Sequence, residues 1–250
     1  MNGPWLATNV NSSTAAASDL NNTYINVPSN TYVFFKRSSN TLNEYAYRYT
    51  FITSSLNNNI KIGGDVGSLI NHSPLTEYCY YMLFYHCTGI VDASDLILSS
   101  NTLVSSCYNY MFQGCTSLTS APVLPATTLA DKCYYYMFDD CSSLLTPPAL
   151  PAEIMYNSCY GHMFANCSSL SSAPSLPATT LDTACYDWMF ESCSSLKTPP
   201  ALPATTLAPH CYEMMFRFTS LSTIPTLPAT TIAEYCYRGM FWGTNLSSAP

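Results

Sequence analysis

A chain of 250 residues, 48% of them hydrophobic, is long enough to bury a substantial core, as one large domain or as a repeat array. Only 9% of the residues are charged, against about 25% in an average domain, so the surface must be rich in hydroxyls and amides. A net charge of −7 with eight Lys and Arg, none clustered, argues against binding to a phosphate backbone, and no window approaches the roughly 18 uninterrupted apolar residues of a membrane-spanning helix.

Residues 1–28 are rich in Asn, Ser, Thr and Ala, contain no Lys or Arg, and show no apolar periodicity. They are predicted to form an extended arm that orders on a partner, with Trp5 and Leu6, its large apolar pair, as the candidate anchor. No basic stretch followed by an apolar one marks a secretory signal. Residues 29–75 are predicted to form a β-rich cap, because "TYVFF", "YAYRYTFI" and "NIKIGG" are rich in aromatic or β-branched residues and are separated by Ser and Asn turns.

Residues 76–250 are a tandem repeat. Cys79, Cys107, Cys133, Cys159, Cys185, Cys211 and Cys236 are each followed by Tyr, with a period of about 26 residues, and the seventh unit is incomplete. The unit reads C-Y-x-x-M-F-x-x-C-[ST]-S-L-x-[ST]-[AP]-P-x-L-P-A-T-T-L-A-x-x. With the leading Cys as position 0 and a rotation of about 100° per residue, positions 0, 1, 4, 5 and 8 share one arc of the wheel, opposite positions 2, 3, 6 and 7. This pattern predicts an amphipathic helix of about three turns with Cys, Tyr, Met, Phe and Cys inward. The second half cannot be helix, because prolines three residues apart remove donors and fix φ. In "SLTSAPVLPATTL" (117–129) Leu118 and Leu124 are the expected inward anchors of an extended segment. The resulting expectation is an α/β solenoid of leucine-rich-repeat type, a short helix plus an extended segment per coil, with the β cap and the arm at its N-terminal end.

Twelve cysteines suggest a disulfide scaffold unless they fill repeat positions. Two Cys eight apart on a helix stand about 12 Å apart along the axis, beyond the roughly 7 Å Cα limit of a disulfide. Neighbouring helices packed about 8–10 Å apart disfavour bridges between coils as well. Zinc fits no better, since C-x-x-C pairs are absent and the four histidines do not recur at one position. No metal or cofactor is implied. The expectation is two internal columns of free thiols: Cys79, Cys107, Cys133, Cys159, Cys185, Cys211 and Cys236 in one, and Cys87, Cys115, Cys141, Cys167 and Cys193 in the other.

In the sixth unit "FRFTSL" (216–221) and in the seventh "FWGTNL" (241–246) are one residue short, and the missing residue is taken to be the cysteine. The chain stops at "LSSAP", partway through a unit, so it is expected to continue past Pro250.

The unit M-F-x-x-C-S-S-L-x-S-A-P-x-L-P-A-T-T-L-A resembles the repeats of the BspA-like leucine-rich-repeat proteins, whose usual core is A-F-x-x-C-S-S-L-x-x-I-x-I-P. "IKIGGDVGSLI" is similar to the strand preceding such arrays in proteins of gut bacteria and their phages. The resemblance covers about residues 55–250. It implies a non-enzymatic protein, displayed outside the cell and used for adhesion or recognition. An enzyme is disfavoured on other grounds too, since acid, base and nucleophile come from different side chains whereas these reactive types repeat as identical copies. The expectation is a virion fibre or decoration component at the virion surface, with a bacterial cell-surface adhesin as the alternative. The arm would hold a virion or surface scaffold protein, and the repeats a host-surface glycan or protein. Several copies, a homo-oligomer included, would add avidity. Tyr81, Tyr85, Tyr110, Tyr135, Tyr136, Trp188 and Trp242, at positions left outside the core, form the candidate binding surface. The Ser- and Thr-rich extended face is the other candidate.

Overall fold

The computed structural model describes residues 5–9, 33–37, 60–67 and 74–246. Four strands, β1 (Trp5–Asn9), β2 (Val33–Arg37), β3 (Ile60–Asp65) and β4 (Ile90–Ile97), form one sheet in that order. β1 pairs antiparallel with β2, placing Trp5 opposite Arg37 and Leu6 opposite Lys36. β2 pairs parallel with β3, and β3 parallel with β4, with two register shifts near Lys61. The first predicted strand is found two residues later than "TYVFF", and "NIKIGG" is found as β3. "YAYRYTFI" and the remainder of the arm lie outside the described residues. β4 belongs to the first repeat, so the cap joins the array through β3, and the Tyr80 hydroxyl donates to the Val66 carbonyl at 2.9 Å.

The predicted fold class is corrected: no α-helix occurs among the described residues, so the array is not built of helix-plus-strand, leucine-rich-repeat coils. Positions −3 to 8 of each unit are instead a run of overlapping turns. Backbone N–H groups at positions 0, 2, 4, 6 and 8 donate to the carbonyl three residues back, as Tyr135 does to Lys132 and Met137 to Tyr134. Those at −1, 1, 3, 5 and 7 donate to carbonyls of the next unit. In the third unit Lys132 donates to Asn157, Tyr134 to Cys159, Tyr136 to Gly161, Phe138 to Met163 and Asp140 to Ala165, all within 2.9–3.1 Å. Five such bonds join each unit to the next. Every fourth residue (positions −1, 3 and 7) has φ near +55°, as at Lys132, Tyr136 and Asp140. Alternate turns thus carry a positive φ at their third residue, which is type II geometry.

Helix loses here because identical rings recur at identical positions. Helices satisfy their own backbones and settle about 8–10 Å apart, whereas hydrogen-bonded strands lie about 4.8 Å apart, close enough for rings to stack. Tyr80, Tyr108, Tyr134, Tyr160, Tyr186, Tyr212 and Tyr237 form one column with centroids 5.3–5.9 Å apart and planes within 11°. Phe84, Phe112, Phe138, Phe164, Phe190, Phe216 and Phe241 form a second at 5.2–5.9 Å. Each pair contributes about 0.5–1.5 kcal/mol beyond its buried area, which offsets part of the cost of the left-handed residues, about 1–2 kcal/mol each. The extended halves stack through single bridges, Asp92–Ser120–Thr146 on one side, Thr102–Thr128 and Ile154–Thr180–Thr206 on another. Leu118 and Leu124 are buried, as expected.

Candidate functional site

The twelve cysteines are buried and none is in a disulfide. Because the coils are hydrogen-bonded neighbours and not separately packed helices, the distance between coils is not what keeps them unbridged. The position-8 thiols have another use: Cys115, Cys141, Cys167 and Cys193 donate to the carbonyls of Phe84, Phe112, Phe138 and Phe164 one coil back, at 3.1–3.2 Å. Burial pushes Cys79 and Cys211 up to about 11 and Cys107 and Cys159 up to about 12, and raises Cys141 and Cys167 well above the usual thiol range. None of these is a thiolate nucleophile at neutral pH. In the sixth unit Thr219 occupies position 8, its N–H and hydroxyl both directed to Phe216. Thr244 does the same toward Phe241 in the seventh. The cysteine is therefore replaced, and the missing residue falls in the turn after it.

The outer face of the turn ladder carries the predicted aromatics, but stacked on one another. At position 3, where φ is positive, Tyr110 lies on Tyr136 (4.9 Å, 6°), Tyr136 on His162 (4.2 Å, 14°) and His162 on Trp188 (5.5 Å, 10°). The Arg217 guanidinium continues the column, 5.2 Å from Trp188 and 4.8 Å from Trp242. Tyr81 meets Tyr78 and Tyr110 edge-on, Tyr135 meets Tyr136 edge-on, and Tyr85 meets His86. Of the seven predicted residues only Trp242, at 59%, is exposed; the other six are partly buried. Stacking occupies ring faces of Tyr110, Tyr136 and Trp188. Trp5 and Leu6 lie in β1, apart from this face in the chain.

Sequence reasoning missed His162, Arg217, Asp187 and Asp139. The signal was available in position 3 read down the units (Met82, Tyr110, Tyr136, His162, Trp188, Met214), a column of flat or long side chains. Asp139 is buried and accepts from Gln113 Nε2 at 2.6 Å and Asn166 Nδ2 at 3.0 Å. Asp187 stands 3.8 Å from His162 Nε2, with its Oδ1 buried and unpartnered among the described residues. A Cβ at Gly161 would collide with that oxygen and with the Tyr135 ring, so the space above Gly161 is already filled. Burial, then the neighbouring Glu213, raises Asp187 to about 7, and burial lowers His162 to about 4. Both are neutral between those values, and Glu213 is held by Arg238 and His210. This face is a packed, ionisable seam. Among the described residues no group of His, Cys, Asp and Glu is arranged to hold a metal ion, and no helix is long and apolar enough to cross a membrane.

No protein-family model, curated protein or solved structure matches this chain.

Proposed function

We propose that this chain is a non-enzymatic recognition or structural protein that acts outside the cell, on a virion as a fibre or decoration component, with the repeats meeting a host surface. One observation carries the reading: the reactive side chains that recur in every coil, the twelve thiols and the tyrosine column, are locked inside a stiff ladder. The surfaces left outside are held on a regular backbone, coil by coil. An array of this kind is suited to presenting contacts many times over. The similarity of the repeats to BspA-like proteins supports the reading, and since those include surface proteins of gut bacteria, a bacterial adhesin is the second form of it. A scaffold protein held through residues 1–28 would complete the attachment.

Beads bearing many copies of the purified chain test this against a panel of gut bacterial cells. Adherence to a subset of strains is expected. If neither the free chain nor the multivalent form adheres to any, the repeats are a spacer or shell element and recognition should be abandoned.

A further inference from the structure

One face of the array is nearly free of charge. Over the segments 119–128, 145–154, 171–180, 197–206 and 222–231 the charged residues are Glu153 and Lys197 alone, whereas Asp139, Asp187, Glu191, Glu213, Arg217 and Arg238 crowd the turn ladder. At the end of these segments Thr127 and Thr128, Thr179 and Thr180, and Thr205 and Thr206 are all exposed. Their backbones are fixed in register: Thr127 and Thr128 both donate to the Asn101 carbonyl, Thr205 and Thr206 both to Thr179, and Thr180 bridges Ile154 and Thr206. Their hydroxyls form no side-chain hydrogen bond among the described residues.

We propose that this threonine-bearing face binds a neutral, hydroxyl-rich polysaccharide laid along the stacking direction. The proposal rests on the recognition reading above and names its ligand class. Each hydroxyl both donates and accepts, as a sugar hydroxyl does. Between Thr179/Thr180 and Thr205/Thr206 the ladder sets them on adjacent coils about 4.8 Å apart, and β-branched side chains are stiff at χ1, so little rotamer freedom is lost on binding. A polyanion gains nothing from a face this poor in cations. A protein partner would need aromatic or arginine anchors, and the large apolar side chains exposed on these segments are aliphatic: Val123, and Leu145 and Ile154 at opposite ends of one segment. The aromatic seam is the weaker candidate for a sugar, because in its central column, Tyr110, Tyr136, His162 and Trp188, the rings already stack on one another.

Glu153 and Ile154 interrupt the column at the coil between Thr127/Thr128 and Thr179/Thr180, which permits a test by gain. Adherence of the multivalent chain to bacterial cells is measured for the wild type, for E153T/I154T, which completes the column, and for T179K/T205K, with unfolding temperature followed in parallel. Completion should tighten adherence, and the lysine variant should weaken it by about tenfold at unchanged unfolding temperature. Periodate treatment of the cells, which cleaves vicinal diols, should abolish adherence, whereas protease treatment and raised salt should leave it. Adherence that survives T179K/T205K or periodate, that is lost to protease or salt, or that E153T/I154T fails to tighten overturns this proposal and leaves recognition standing through another face or ligand. A wild type that adheres to no cell removes both.

Discussion

Ala184 has φ +52° and lies in the left-handed column at position −1 of the fifth unit. Its methyl group suffers the steric penalty that glycine escapes. The sign of one substitution therefore separates the turn ladder from the helix expected from periodicity. In a helix Ala184→Gly would destabilise by about 1 kcal/mol. In the ladder it should stabilise by up to about 1 kcal/mol, the relief of the left-handed penalty less the extra freedom of the unfolded chain. Denaturant unfolding at neutral pH reads the difference, and a clear loss of stability would return the segment to helix. The same residue-scale view explains why these conformations escaped the sequence. Tyr136, His162 and Trp188 carry φ of 56°, 55° and 54°, where bulky residues are outliers, and what holds them is the ring above and below, which a single coil does not contain.

The turn ladder as an element differs from a helix by its rotation per residue, and that difference was legible in the unit. Positions 0, 1, 4, 5 and 8 fan across a broad arc at helical rotation, but collapse onto two adjacent sides of a square at four residues per turn. Over nine residues both rotations separate inside from outside, so the inward set of Cys, Tyr, Met and Phe was legible even though the element was not. The composition held a second warning, since Cys, Tyr, Phe, Ser and Asn are poor helix formers. The ionisable seam was not legible at all: Asp187 and His162 belong to successive units and meet only because adjacent coils stack in register. That meeting sets a pH dependence. Asp187 is raised from 3.8 to about 7, so between those values the unfolded chain ionises first and stability falls as pH rises, by about 1.4 kcal/mol for each unit of the difference. His162 is lowered from 6.5 to about 4, so stability also falls as pH drops through that window, where the unfolded chain takes up the proton. Asp187→Asn should gain on the wild type at pH 8 and not at pH 3.5. His162→Phe, which keeps the ring stack, should gain at pH 4 relative to pH 8. A difference in unfolding midpoint between variant and wild type that stays constant across pH for both substitutions would mean that neither group is buried as described.

For the whole molecule the ladder has a direction: each coil donates its alternate N–H groups to the coil that follows and accepts from the coil before. The tandem period announced that coils would stack, but not this polarity, because a sequence pattern names faces and not the bond each backbone group makes. In the last described coil the N–H groups of Cys236, Arg238, Met240, Trp242 and Thr244 are bonded within their own turns, while those of Tyr235, Tyr237, Gly239, Phe241 and Gly243 have no backbone acceptor among the described residues. Amide hydrogen exchange should therefore alternate along 235–244, slow at one residue and fast at the next, a pattern no frayed helix gives. Stability in such a stack is a sum of coils and of the interfaces between them, and each interface carries five turn-ladder bonds with its ring pairs. Joining one more extended segment and turn ladder, a copy of residues 197–221, after Leu246 should protect the five fast amides together, cover Tyr235 and Trp242, and raise the unfolding temperature. If the added unit leaves the alternation untouched, the inter-coil bonds do not run in the direction described, and the ladder itself would have to be redrawn.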